Sequence, residues 1–86
     1  MITNEAERID AINTREDLAR FVLDLSEDYR KDPKSWENRD LTSFLTALSG
    51  WIMDMDGYFI NQNQPVPEAP SWKTLAQMLA AAKQYE

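Results

Sequence analysis

The chain has 86 residues, a formal net charge of −6, nine basic and fifteen acidic side chains, and neither cysteine nor histidine. That length sets one small domain spanning residues 1–86, with a net stability of only about 3–5 kcal/mol. Without cysteine or histidine, disulfides, thiolate chemistry, imidazole metal ligands and imidazole acid–base catalysis are excluded. The acidic balance disfavours nucleic acid and anionic lipid and favours a basic protein partner.

The amino terminus, MITNEAERID, is acidic and polar, unlike a signal or transit peptide. No uninterrupted apolar run approaches the length of a membrane span. Together with the absence of cysteine, this points to a cytoplasmic protein.

In chain order, the first predicted element is a short helix from Asn4 to Ile12, with Asn4 and Glu7 at its start and Ile9 and Ile12 on one edge. So few residues cannot hold a helix alone, so the segment must dock or fray. The second helix starts at Thr14, with Asp17 three residues on. Leu18, Phe21, Val22, Leu25 and Tyr29 then share one face, and Glu16–Arg20 and Glu27–Lys31 are spaced to pair on the other. Pro33 ends this helix.

A polar loop, DPKSWENRD, carries Trp36, and Asp40 caps the third helix. Leu41, Phe44, Leu45, Leu48, Ile52, Met55 and Phe59 form its predicted buried stripe, running to about Asn61 and making this the central core helix. Gly50 and Gly57 each cost about 1 kcal/mol relative to alanine, so close packing or a break is expected at each. After a proline-stiffened loop, NQNQPVPEAP, Ser71 caps the last helix. Its predicted apolar face is Trp72, Leu75, Ala76, Leu79 and Ala82, and its other sides are also poorly charged. No segment alternates as a strand does. The expected fold is all-α: a small helical bundle of three main helices plus a short N-terminal one, antiparallel where loops are short.

Along the border of the third helix's stripe, Ala47, Trp51, Asp54 and Tyr58 fall in line. Indole and phenol rings beside carboxylates suit a protein interface, because they bury much area and keep a polar tip. The candidate interface is therefore Trp51, Asp54, Asp56 and Tyr58, with Trp36 and Glu37 second. Each has a plainer reading, in which Trp51 and Tyr58 are core bulk and Trp36 is a lid over the core.

Asp54-Met55-Asp56-Gly57 does not match a calcium loop, since glycine stands fourth and Pro65 twelfth from Asp54. The serines and threonines have no histidine to activate them, and no G-x-S-x-G elbow is present. No metal, cofactor or catalytic residue is assigned, and no enzyme is expected.

The Trp36-Glu37-Asn38 and Trp51-Ile52-x-Asp54-Met55-Asp56-Gly57-Tyr58 motifs stand in a run from Ser26 to Tyr85 with Pro65-Val66-Pro67 and Ser71-Trp72. This run resembles a family of small acidic uncharacterised bacterial proteins, a domain of unknown function. The resemblance implies a shared helical fold and no assigned activity. Size, acidity and layout are also similar to nuclease-inhibiting bacterial immunity proteins, with no residue-level motif in common. The expected function is thus an acidic protein-binding module, of the immunity or antitoxin type, acting on a basic partner. The alternative is a dimerisation domain that associates through its alanine-rich last helix. Monomer and homodimer both fit the sequence.

Overall fold

The computed structural model describes residues 5–85. Helices α1 (Glu5–Asp10), α2 (Arg15–Lys31), α3 (Leu41–Asn61) and α4 (Trp72–Ala82) are joined by loops, with a 3₁₀ turn at Pro33–Ser35, and no strand occurs among the described residues. The chain is all-α, three longer helices with a short one before them. Asn4, the expected start of the first helix, lies outside the described residues.

Local chemistry sets the helix ends. The Thr14 hydroxyl accepts from the Asp17 backbone N–H at 3.1 Å, while the Asp17 carboxylate accepts from the backbone N–H groups of Asn13 and Thr14 at 3.0 and 3.3 Å. Asp40 accepts from the backbone N–H of Ser43 at 2.8 Å, and Ser71 from that of Thr74 at 3.1 Å. Each contact satisfies a donor that the first helical turn leaves without a partner.

The Asn13 N–H, then the Arg20 side chain, hold the Asp17 carboxyl below the usual carboxylate range. The backbone N–H of Ser43, then its hydroxyl, do the same for Asp40. These caps therefore stabilise the fold above the unfolded carboxyl pKa of about 3.9, and the contribution fades as pH falls through the lowered folded values.

α3 ends in a left-handed residue, Asn63 at φ 57°. The Asn63 N–H donates to the Ile60 carbonyl at 3.0 Å and the Gln64 N–H to that of Phe59 at 2.9 Å. That is a Schellman closure with asparagine where glycine is commonest.

The central helix is α4, not α3 as the apolar count suggested. α4 packs against α1, α2 and α3, whereas α2 and α3 scarcely meet. Ala76 and Ala82 are fully buried, Thr74 and Met78 nearly so, and no residue from Lys73 to Lys83 is exposed. A helix covered on every side has little room for charge, which accounts for its alanine-rich, weakly charged composition. The same burial removes the seam offered for self-association through the last helix. Trp72, expected in its apolar face, is exposed instead.

The core has two parts. Ile9, Ile12, Phe21, Leu25, Trp36 and Ala76 form one cluster, with Leu18, Tyr29, Phe44 and Leu79 packed against it. Trp51, Phe59 and Met78 form the other, joined by Leu48, Met55 and Leu75. Val22 is exposed, so the predicted α2 face loses that member. The predicted pairs Glu16–Arg20 and Glu27–Lys31 give way to Asp17–Arg20 at 2.8 Å and Glu27–Arg30 at 2.6 Å.

On α3 the predicted stripe is out of register with the core. Of its members Phe59 is buried and Phe44, Leu48 and Met55 pack against the core, but Leu41, Leu45 and Ile52 are exposed, and Ala47 and Trp51 are buried instead. At about 100° per residue, the true inward side is rotated by roughly 50° from the centre of the predicted one. The two glycines do not break α3. Gly50 meets the ring of Tyr85, which would stand 3.4 Å from an added Cβ, and Gly57 faces open space.

The segment between α2 and α3 holds the C-terminal end of α4. The Asn38 backbone N–H donates to the Lys83 carbonyl at 3.0 Å, and its Nδ2 donates to the carbonyls of Ala82 and Tyr85, both at 2.9 Å. Those carbonyls stand where the helix offers no internal donor.

Beside them, Lys83 Nζ donates to Glu5 at 2.6 Å and lies 5.7 Å from the centre of the Trp36 ring, with Asp28 4.0 Å away. Trp36 Nε1 donates to Asp28 at 2.8 Å, and Arg39 Nε donates back to the Trp36 carbonyl at 2.9 Å. The Tyr29 hydroxyl donates to the Arg39 carbonyl at 2.7 Å.

Losing the Asn38 amide leaves two half-buried carbonyls without it, at about 1–3 kcal/mol, a large share of what a chain of this size holds. Asn38→Ala is expected to lower the unfolding free energy by that amount, read as a lower urea midpoint. Asn38→Asp is expected to be worse still, because it sets a negative charge against the negative end of α4. Equal midpoints for wild type and both variants would remove the clamp from the account.

Candidate functional site

The residues singled out in the sequence separate into two places. Trp36 and Trp51 are both buried and belong to different core clusters. Trp36 is packed on three sides, by Tyr29 edge-on at 5.2 Å, by Phe44 stacked at 5.8 Å and by the Lys83 ammonium. Its neighbour Glu37 is exposed.

Trp51 and Tyr58, two turns apart on the same face of α3, do meet, with ring centres 5.6 Å apart, and Tyr58 also stands edge-on to Phe59 at 5.1 Å. Tyr58 is 40 % exposed and keeps part of its ring in solvent. Both rings line a trough of about 290 Å³ whose other walls come from α1, α4 and the turn after α4, among them Ile9, Ala80 and Gln84.

The two aspartates have different surroundings. Asp54 accepts a hydrogen bond from the Tyr85 hydroxyl, and the Tyr85 ring lies over α3 at Gly50. Asp56 is exposed, and one of its oxygens accepts from the adjacent Gly57 N–H at 2.9 Å. The carboxylates do not converge, and no group of three or more potential metal ligands occurs among the described residues.

A polar groove of about 460 Å³ runs along the other border of α3, lined by Thr42, Ser43, Thr46, Gly50 and the Asp54–Tyr85 pair. Its Ser43 hydroxyl donates to Asp40 at 2.9 Å as part of the helix cap. No helix among the described residues is long and apolar enough to cross a membrane.

Three residues that sequence reasoning assigned inward, Leu41, Leu45 and Ile52, stand on the outer side of α3, with Met53 beside them. Leu41, Leu45, Ile52 and Met53 are exposed by 71, 52, 42 and 79 %. Leu45, Ile52 and Met53, with Leu48 and Ser49, line a shallow apolar trough of about 300 Å³. From Leu41 to Met53 the helix carries no charged residue. A contiguous apolar stripe of this kind differs from scattered exposed leucines, which are ordinary on protein surfaces.

The signal was present in the sequence. α3 carries apolar residues round more than half its circumference, more than a single covering helix can bury. Residues 5–32, which take in α1 and α2, hold nine of the fifteen carboxylates against five bases, and the charge on α3 is confined to Asp54 and Asp56 beyond that stripe.

Hydrogen bonding to Asp54, then desolvation, then the negative charge of Asp54 raise the pKa of the Tyr85 phenol. A folded value above the unfolded one of about 10 means that the contact stabilises fully below that pH and is lost as pH rises through the folded value. In a ring-carbon NMR titration, Tyr85 should deprotonate at higher pH than a free tyrosine, and Asp54→Asn should bring its midpoint down. A midpoint indifferent to Asp54→Asn would contradict the pairing.

No match to the chain is found among curated proteins or among solved structures. A family model matches residues 14–86, taking in α2, α3, α4 and the loop that caps them, with α1 outside the matched span. The chain belongs to a family of unknown function, DUF7660.

Proposed function

We propose that this chain is a protein-contact module whose docking face is the outer side of α3, and that it works by association rather than by catalysis. The observation that carries this reading is the uncharged run Leu41–Met53 with Leu41, Leu45, Ile52 and Met53 standing in solvent. Fully burying side chains of this kind contributes about 1.5–3 kcal/mol each, a gain that only a partner can supply, because α4 already occupies the inward side. The partner that fits is another apolar helix face with no charge at its centre. Such contacts follow helix-in-groove or helix-on-helix packing.

The acidic, aromatic version of the reading keeps fewer anchors. Of its six residues, Trp36 and Trp51 are buried and Asp54 is engaged by Tyr85, leaving Tyr58, Asp56 and Glu37 at the surface. An inhibitor of a basic protein remains a second reading, favoured by the carboxylate excess on α1 and α2. That excess speeds encounter with a basic molecule and repels nucleic acid and anionic lipid.

Photo-crosslinkers placed at Met53 and, separately, at Glu16 distinguish the two faces. The expected adduct forms from Met53 with one defined protein species, binds the purified chain and is lost in Leu45→Lys. Adducts from Glu16 alone would move the docking face to the acidic half, and adducts from neither position would remove the contact reading.

A further inference from the structure

We propose that α1 is a strap that opens as one unit, residues 5–12 swinging away together while α2, α3 and α4 stay folded, and that the Glu5–Lys83 pair is its latch. The strap is separate from the α3 face and does not depend on it.

Six residues cannot hold a helix alone, so α1 keeps its form only while it is docked. Among the described residues, no backbone–backbone hydrogen bond joins residues 5–12 to the other helices. The Ala11 N–H donates to the Glu7 carbonyl and the Ile12 N–H to that of Ile9, both inside the segment. Side chains dock it instead. Ile9 and Ile12 enter the first core cluster, Arg8 pairs with Asp24 at 2.6 Å and lies over the Phe21 ring, and Glu5 reaches Lys83.

The rest of the fold has its own supports. The second core cluster contains no α1 residue, and the first keeps Phe21, Leu25, Trp36 and Ala76 when the strap leaves. The Asn38 clamp holds α4 from the α2–α3 loop. All of these residues lie within 14–86, the span matched by the family model. The hinge is equally well defined. Asn13 and Thr14 donate their backbone N–H groups to the Asp17 carboxylate, so the chain is fixed from Asn13 onward and the break falls just before it.

Lys83 supplies the latch. Its side chain is only 13 % exposed, and Glu5 accepts from it at 2.6 Å. The Asp28 oxygen, 4.0 Å away, already takes the Trp36 indole N–H. Opening therefore strips a largely buried ammonium of its hydrogen-bonded carboxylate as Ile9 and Ile12 leave the core. A helix this short cannot give up one turn and keep the other, so loss of the Glu5 contact at one end releases Ile12 at the other. The open form uncovers the side of the first core cluster on which the two isoleucines rest, with the Lys83 ammonium beside it.

Amide hydrogen exchange of the full chain, read residue by residue by NMR, tests this. Glu5→Ala is expected to speed exchange at Ala11 and Ile12, at the far end of the strap, by about tenfold, while Leu75 to Ala82 keep their wild-type rates. Lys83→Met should act equally on Ala11 and Ile12, and the double variant should be no faster there than either single one, because the same pair is lost.

Unchanged rates at Ala11 and Ile12 in Glu5→Ala would mean that the helix merely frays from its first turn. The same rise across Leu75 to Ala82 would make α1 part of one cooperative core. Either result overturns the strap, and effects of the two substitutions that add in the double variant would overturn the latch.

Discussion

Asn38 holds the structure's closing constraint. One side chain and one backbone N–H from the α2–α3 loop reach the carbonyls of Ala82, Lys83 and Tyr85, residues more than forty positions away. Around that clamp, the Trp36 indole, Asp28, Lys83 and Glu5 tie α1, α2 and α4 together at one end. Exposed ion pairs such as Arg15–Glu16 contribute little by comparison. The clamp matters because the helix it terminates is the one every other helix packs on.

With α4 fixed at the centre, the positions of the rest follow. α2 and α3 lie against α4 and scarcely touch one another, so each keeps an outer side that nothing among the described residues covers. On α2 that outer side is charged, and on α3 it is apolar. The outer side of α3 is uncharged only from Leu41 to Met53, since Asp54 and Asp56 follow on the same helix with no base beside them, a pattern that net charge and mean composition conceal. The proposed contact role rests on that uncharged stretch more than on any one aromatic residue.

The helices themselves were legible in the sequence, because their signals are local. Thr14 with Asp17, Asp40, Ser71 and Pro33 mark ends through bonds to residues no more than four away, and α3 ends at Asn61 as periodicity indicates. What periodicity could not supply was which apolar side faces inward. α3 has two apolar sides, and only the position of α4 decides between Trp51 and Ile52.

The same limit hid the centre of the fold. An alanine-rich helix with few charges reads equally as a central element or as a self-association seam, and the distinction lies in contacts from Ile9, Phe21 and Trp51 that come from distant parts of the chain. The Trp36-Glu37-Asn38 motif was visible, but its role was not, since both Trp36 and Asn38 act on partners set by tertiary structure.

The central claim is that α4 is internal and clamped, with α3 offering an unused face. Native-state amide hydrogen exchange tests it most directly. The account predicts that the amides from Leu75 to Ala82 exchange last, only through global unfolding, while the N-terminal half of α3 opens earlier. Exchange of α4 ahead of α2 and α3 would contradict it.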